Sequence, residues 1–216
     1  MKRIVKDILI LFAITLVAGL ALGAVYNLTL DARKDQEKKT LNAAYKNVMP
    51  GVASTSKVDV DLNEMNKHIA KEVKETESEM DYTPYNEFKA TIDDVLLAKD
   101  KDGDKLGYII TVTDEEAYNG SLTMTVGVDM DGSVKGISFL DLNETPGLGM
   151  KAKDESFIKQ YVGKDVKFFT YTKDPSEDKS EVDAISSATI TTNAVTHGVD
   201  ACLILADHLD GGDGHE

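Results

Sequence analysis

An uncharged stretch of 23 residues, 8–30, constrains this chain more than any other feature of its sequence. As a helix it would span roughly 35 Å, against about 30 Å for the hydrocarbon core of a bilayer. Lys2, Arg3 and Lys6 precede it, so the positive-inside rule predicts a cytoplasmic N-terminus and an extracytoplasmic remainder. The alternative is a cleaved signal peptide, because residues 21–24 resemble a cleavage site. The apolar stretch continues past that site, which favours an uncleaved transmembrane helix.

Charge is distributed unevenly along the chain. The net charge is −14, yet residues 1–34 carry five basic and two acidic side chains, so the rest carries −17. Nucleic-acid binding through phosphates needs a basic face. We therefore expect no nucleic-acid partner.

The sequence contains few candidate residues for metal binding or thiol chemistry. Cys202 is the only cysteine, which excludes an intramolecular disulfide or a Cys-X-X-Cys pair, and its apolar surroundings predict a buried thiol. The acidic segments 100–104 and 129–132 lack the glycine and glutamate spacing of an EF-hand, so both are interpreted as turns. No Ser-His-Asp or Cys-His arrangement is evident. We predict no metal site and no catalytic residue.

Hydrophobic periodicity predicts an α+β fold. Four segments alternate apolar and polar residues as strands do, and Asp-Gly turns join them into two hairpins. Further along, the patterns predict a helix at 154–161, a strand at 165–170 and an amphipathic helix at 192–209. The four alternating segments are 91–98, 106–113, 121–128 and 133–140.

These patterns divide the chain into five parts. We expect a cytoplasmic N-terminus, a single transmembrane helix, a stalk with a peripheral helical segment, an antiparallel-sheet domain with packed helices, and a disordered tail. The expected bounds are 1–7, 8–30, 31–84, 85–209 and 210–216.

The segment 183–193 is rich in hydroxyl side chains at the start of a predicted helix. Hydroxyls and free N–H groups at a helix start can bind phosphate, and a threonine hydroxyl can be an attachment point. The alternative is that these side chains only cap the helix. The hydroxyl residues are Ser186, Ser187, Thr189, Thr191 and Thr192.

A second motif, Glu-Thr-Pro-Gly-Leu-Gly at 144–149, directly follows a predicted strand. Its Pro-Gly pair predicts a tight turn, and Gly149 permits close backbone approach. The segment is either a simple loop or a glycine-containing clamp for a flat ligand.

Together these motifs resemble the covalent-FMN domain family. That domain occurs in the G subunit of the Rnf electron-transport complex and in the C subunit of the sodium-pumping NADH:quinone reductase. The family signature Asp-x-x-[Ser/Thr]-Gly-Ala-Thr reads Asp-Ala-Ile-Ser-Ser-Ala-Thr at 183–189, and 144–149 matches the second signature without change. The resemblance covers most of residues 85–208. Ser187 replaces a usual glycine, and Leu142 a frequent histidine.

The resemblance implies a covalent cofactor. Thr189 would carry FMN through a phosphoester that a separate flavin transferase makes from FAD. The remaining cofactor-binding residues would supply hydrogen bonds to the phosphate or surround the ring. They are Ser186, Ser187, Ala188, Thr191, Thr192, Glu144, Thr145, Gly147, Leu148 and Gly149.

The resemblance also implies a function. The chain would be a membrane-anchored flavoprotein subunit that relays electrons through FMN in an ion-translocating ferredoxin:NAD⁺ oxidoreductase complex. It would not be catalytic alone, and its partners would be the other membrane subunits, the flavin transferase and membrane lipid. The alternatives are the equivalent subunit of the NADH:quinone reductase and a tethered, non-redox binding module.

Overall fold

The computed structural model describes residues 2–174 and 177–211. Most of the expected tail, residues 212–216, lies outside the described residues. The chain divides into two compact units, Met1–Asn42 and Ala43–Glu216.

The first unit consists of helix α1, Lys2–Val48, up to Asn42. By length and composition α1 is able to cross a membrane. Apolar side chains on its membrane-length part are exposed in the chain alone, as expected of a surface that meets lipid. The Thr15 and Thr29 hydroxyls donate to carbonyls of the preceding turn, so neither hydroxyl needs water as a partner.

The second unit is built on a five-stranded antiparallel sheet in the order β1-β2-β3-β4-β5. The strands are Ser54–Lys57, Ala90–Lys99, Lys105–Ala117, Gly120–Asp129 and Val134–Leu142. Strands β2 to β5 confirm the four predicted segments and the antiparallel sheet.

Both predicted hairpin turns are confirmed. In each, the first aspartate accepts hydrogen bonds from the backbone N–H groups two and four residues later, at 2.8–3.1 Å. The glycines Gly103 and Gly132 have φ angles of 91° and 81°, which an L side chain rarely adopts. The carboxylates of Asp100 and Asp129 therefore order the turns.

Helices cover one face of this sheet. Helix α2 (Leu62–Glu79), the short α3 (Glu155–Ile158) and α4 (Thr189–Leu209) follow in chain order, with a 3₁₀ helix at Gly149–Lys153. Strands β6 (Thr170–Thr172) and β7 (Glu181–Asp183) form a separate parallel pair. Residues Thr191–Ala206 of α4 are buried all round, because α2 and the 3₁₀ and β6 segments cover the face that the sheet leaves.

The expected boundary at residue 85 is too late. Residues from Ala43 onward belong to the compact domain, and the last turn of α1 lies against the sheet. A Cβ atom at Gly127 would stand 2.1 Å from the Val48 carbonyl oxygen, so glycine permits this contact. The supposed peripheral segment contains edge strand β1 and helix α2, whose buried Met65 and Ile69 join the core.

Two predictions after the sheet are also wrong in extent. The segment 165–169 is not a strand: the Phe169 N–H donates to the buried Asp200 carboxylate at 2.8 Å instead of to a neighbouring strand. The helix expected at 154–161 is confined to α3 and turns, and the helix expected from residue 192 begins three residues earlier.

Candidate functional site

The two sequence motifs meet at one cavity of about 440 Å³. The loop after β5 forms one part of its wall and the start of α4 another. Two tyrosines from other loops complete it. The lining residues are Tyr85, Tyr118, Glu144, Thr145, Leu148, Gly149 and the segment 187–191.

The start of α4 has backbone donors without a side-chain cap. Thr189 is the first helical residue and Ala188 occupies the N-cap position, where the described chain provides no side-chain hydrogen bond. The first N–H groups of a helix have no partner within the helix, and the helix dipole is positive there. The simple capping alternative therefore does not describe this stretch, and the geometry suits an anion beside Thr189.

The backbone conformation at Ser187 accounts for the glycine at this position of the family signature. Its φ angle is +62°, a left-handed conformation in which glycine is free of strain. The chain thus adopts at Ser187 the backbone that a glycine would favour, and this turn leads into Ala188 and Thr189.

Two adjacent threonines on α4 differ in what their hydroxyls do. The Thr192 hydroxyl accepts from the Ile185 N–H and donates to the Ala188 carbonyl, both at 3.0 Å. It braces the turn, so the expectation that it also donates to a phosphate gains no support. The Thr191 hydroxyl is fully buried, belongs to the cavity wall and has no hydrogen-bond partner among the described residues. An orphaned buried hydroxyl costs free energy unless a ligand satisfies it.

The other predicted residues divide between cavity wall and support. Ser186 is exposed and Gly147 has a φ of 79°; neither is part of the wall. The Thr145 carbonyl accepts hydrogen bonds from the N–H groups of Leu148 and Met150, which folds the loop. Leu148 keeps 39% of its surface exposed at the cavity.

Gly149 joins the two motifs. A Cβ atom there would stand 2.6 Å from both Glu144 Oε2 and Thr191 Oγ1. Only glycine lets the loop lie against the helix at this distance. Glu144 is buried, and its Oε1 accepts from the Asn119 N–H at 3.3 Å.

Comparisons with known proteins show the family of this chain. An FMN-binding domain model matches residues 117–204. The G subunit of the Na⁺-translocating ferredoxin:NAD⁺ oxidoreductase complex of Acetobacterium woodii is 30% identical over 210 residues, which cover 96% of this chain and 94% of that protein. The chain belongs to this G-subunit family.

Other similarities are more limited in extent. The G subunit of the proton-translocating ferredoxin:NAD⁺ oxidoreductase complex of Clostridium ljungdahlii is 35% identical over 115 residues, covering 53% of this chain and 61% of that protein. A solved structure, the C subunit of the Na⁺-translocating NADH-quinone reductase of Parabacteroides distasonis, is 20% identical with a TM-score of 0.47, covering 78% of this chain and 81% of that one.

Sequence reasoning missed three residues of the cavity in this G-subunit family member: Ile190, which lies within the second motif's helix start, and the more distant Tyr85 and Tyr118. The two tyrosines are the larger omission. Both lie in loops, far along the chain from either motif, and they are 59% and 65% exposed. The one sequence signal that could have identified these tyrosines is an aromatic side chain in a polar loop.

A set of buried polar groups from α2, β3 and α4 lies within the domain of this family member. His197 Nε2 is 3.3 Å from Glu77 Oε1, and His197 Nδ1 is 3.3 Å from the Asn193 amide nitrogen. Burial raises the pKa of Asp114 to about 6, while a hydrogen bond from the Glu116 N–H and the charge of His197 oppose the shift. Burial also raises the pKa of Asp200, against the hydrogen bond from Phe169. Across the described residues, no group of three His, Cys, Asp or Glu side chains could hold a metal ion.

Proposed function

We propose that this chain is the membrane-anchored flavoprotein subunit of an ion-translocating ferredoxin:NAD⁺ oxidoreductase complex, with FMN attached covalently to Thr189. One observation carries the proposal: the cavity joins the uncapped start of α4, which bears Thr189, to the loop 144–149. The near full-length similarity to the G subunit of such a complex supports the same assignment.

The residues of the cavity fit FMN. The N–H groups at the start of α4 and the orphaned Thr191 hydroxyl are donors for a phosphate at Thr189. Gly149 leaves room that a side chain would fill. Leu148 and the two tyrosines offer apolar and aromatic surface for a flat ring.

Attachment requires a group transfer. The Thr189 oxygen would attack the FMN phosphorus of FAD, forming the phosphoester while the bond to the AMP half breaks. The hydroxyl proton is lost and AMP leaves. A separate flavin transferase would do this, and the helix dipole of α4 stabilises the phosphate that remains.

When bound, FMN supplies redox chemistry by accepting and donating electrons. The residues of this chain hold the group, orient it and shape its surroundings. The protein therefore acts as an electron carrier between partner subunits and is not catalytic by itself.

The membrane arrangement follows from α1. The basic residues before its apolar stretch keep the N-terminus cytoplasmic, so the domain would lie outside the cytoplasm, with lipid around the helix. The other membrane subunits of the complex would be its partners. Attachment of a reporter enzyme that is active only outside the cytoplasm to the C-terminus tests this; an inactive reporter on a stably inserted chain contradicts the orientation.

The central experiment is co-expression of the full chain with a flavin transferase. We expect a band that fluoresces under ultraviolet light after denaturing electrophoresis, and a peptide containing Thr189 that is heavier by the mass of bound FMN. Thr189→Ala should abolish both signals, whereas Ser186→Ala should retain them, because Ser186 lies outside the cavity wall. A wild-type chain without the added mass, beside a loaded control flavoprotein, contradicts the proposal.

The partner subunits distinguish this function from the equivalent role in a sodium-pumping NADH:quinone reductase. Mild-detergent purification of the tagged chain from its native membrane should recover ferredoxin:NAD⁺ oxidoreductase subunits. Recovery of quinone-reductase subunits instead would assign the chain to the other complex. Recovery of a flavin-free chain would favour the tethered, non-redox module.

A further inference from the structure

Two tyrosines that the described chain covers only in part flank the cavity. Tyr85 lies in the loop between α2 and β2, and Tyr118 in the two-residue turn between β3 and β4. Both line the cavity while leaving more than half of their surface exposed. Each presents aromatic surface that a flat ligand could cover.

The backbone beside each tyrosine is fixed by a buried acceptor. The Tyr85 N–H donates to Asn193 Oδ1 at 3.2 Å, and the N–H next to Tyr118, that of Asn119, donates to Glu144 Oε1 at 3.3 Å. Both acceptor residues are buried, at 1% and 6% exposure. The two loops are therefore held from inside the domain, which limits where the rings can lie.

The Asn193 amide is itself oriented. Its oxygen faces the Tyr85 N–H, so its nitrogen donates toward His197 Nδ1. The other ring nitrogen of His197, Nε2, lies 3.3 Å from Glu77 Oε1. A run of contacts thus extends from α2 through α4 to the loop that bears Tyr85.

Further contacts tie that loop to its surroundings. The Asn86 side-chain amide donates to the Glu116 carbonyl at 3.0 Å, joining the loop to the end of β3. The Tyr171 N–H donates to the hydroxyl of Tyr82, which belongs to the same loop, at 3.4 Å, and the two rings pack edge-on. The loop is thus held at several points although the Tyr85 ring is exposed.

We propose that Tyr85 and Tyr118 are the residues that contact the isoalloxazine ring, and that Asn193 and Glu144 are positioning residues that hold them there. This inference rests on the proposed function, because it requires a flavin in the cavity. Aromatic rings stack on or pack edge-on against flat conjugated systems. Their contact changes the electronic surroundings of the cofactor, and so its potential.

The test compares flavin emission in the native and denatured full chain in detergent. A phenol in contact with an isoalloxazine quenches its emission by electron transfer in the excited state. We expect Tyr85→Leu and Tyr118→Leu each to raise native emission several-fold, and the double variant to raise it most, while denatured emission per chain stays constant. Denatured emission reports covalent loading and native emission reports ring contact, so the two proposals fail separately. A double variant that is loaded and as strongly quenched as wild type overturns the inference.

Tyr26, one of the tyrosines outside the cavity wall, provides the matched control. Tyr26→Leu makes the same substitution on α1 and should leave both emissions unchanged. Tyr85→Phe and Tyr118→Phe retain the aromatic ring but not the phenol, so they should lose much of the quenching while free FMN affinity stays near that of the tyrosine-containing chain. If Tyr26→Leu has the same effect as the cavity variants, the effect does not come from ring contact.

The positioning roles are tested by matched pairs. Glu144→Gln keeps an oxygen for the Asn119 N–H and should retain most of the quenching, whereas Glu144→Leu should lose it. Asn193→Ala should change the flavin midpoint potential and the amide resonance of Tyr85 together. Equal behaviour of Glu144→Gln and Glu144→Leu, or an Asn193→Ala variant with an unchanged potential, overturns the positioning role.

A second measurement does not depend on covalent loading. Free FMN is titrated into Thr189→Ala and into the same chain carrying both leucine substitutions. We expect the tyrosine-containing chain to quench the flavin and bind it at least ten-fold more tightly. Equal affinity and equal quenching in the two chains overturn the inference, whatever the state of Thr189 in the wild type.

Discussion

The Thr191 hydroxyl lies against Gly149, so close that a Cβ atom at residue 149 would stand 2.6 Å from its oxygen. This relationship joins the loop after β5 to the first turn of α4, although the two are far apart along the chain. The same Cβ atom would be 2.6 Å from Glu144 Oε2. Both motifs of the sequence therefore depend on one glycine.

Gly149→Ala should damage the site by steric collision. Overpacking of this kind typically costs about 1–3 kcal/mol of stability, and here it displaces both Glu144 and Thr191. We expect a lower free energy of unfolding in urea and strongly reduced covalent FMN. Gly147→Ala is the control: no atom of the described residues lies within 4 Å of its Cβ position, and its φ of 79° costs about 1 kcal/mol. Equal FMN loading in both variants would contradict the proposal that close approach of the loop to α4 at Gly149 is needed for loading.

Thr191→Val and Thr192→Val should have opposite effects although the residues are adjacent and both buried. Thr192→Val leaves the Ile185 N–H without its acceptor, which costs about 1–3 kcal/mol. Thr191→Val removes an orphaned hydroxyl, so the stability of the flavin-free chain should hold or rise by about 1 kcal/mol. Urea unfolding measures both.

The same pair separates ligand binding from folding. Thr191→Val should weaken the binding of free FMN to a Thr189→Ala chain, because it removes an unpaired donor from a residue that lines the cavity. If Thr191→Val lowers stability as much as Thr192→Val while FMN affinity is unchanged, the hydroxyl serves the fold and not the ligand.

Much of the sheet could be predicted because its signals are local. Alternation over eight or so residues and an Asp-Gly turn between two such segments identify β2 to β5. A peripheral helical segment was expected where α2 lies, but its packing into the core was missed although Met65, Ile69 and Val73 recur every four residues, the spacing of a buried helical stripe. The many charged residues around this stripe masked it. Edge strand β1 consists of Ser-Thr-Ser-Lys, and all four residues are exposed. It therefore has no alternation of apolar and polar residues that would predict a strand.

The candidate site was predictable only where residues follow one another in the chain. Residues of both motifs line the cavity, and each motif is a continuous segment. Tyr85 and Tyr118 come from loops that only the folded sheet brings together. The strand expected at 165–170 failed for a related reason: the partner of the Phe169 N–H is Asp200, a side chain 31 residues away.

Ser187→Gly should stabilise the domain. A non-glycine residue in the left-handed region costs about 1–2 kcal/mol, and the extra freedom of glycine in the unfolded chain offsets about 0.5–1 kcal/mol of the gain. We expect a net increase of about 0.5–1 kcal/mol in the free energy of unfolding, with covalent FMN undiminished. Ser186→Gly next to it should instead lower stability by about 0.5–1 kcal/mol. A loss of stability in Ser187→Gly would contradict the left-handed conformation.

Asp114 should make stability depend on pH. Its carboxyl is fully buried, and burial raises its pKa from 3.8 to about 6. The folded chain therefore holds this proton more tightly than the unfolded chain. The resulting stability is fully present below pH 3.8 and is lost as the pH rises through 6. Relative to Asp114→Asn, the wild type should lose roughly 2 kcal/mol between pH 4 and pH 7.

Denaturant unfolding of the full chain in detergent at several pH values measures this difference. Asp114→Asn keeps an oxygen that can accept from the Glu116 N–H, the present partner of the carboxylate at 2.7 Å. Asp178→Asn is the control of opposite sign, because hydrogen bonds from the backbone and side chain of Ser180 lower the pKa of Asp178. Its contribution is lost only as the pH falls below 3.8, so it should not alter the slope between pH 5 and pH 7. A wild type and an Asp114→Asn variant with parallel pH profiles would show that Asp114 ionises without cost, and that His197 and the Glu116 N–H compensate its burial in full.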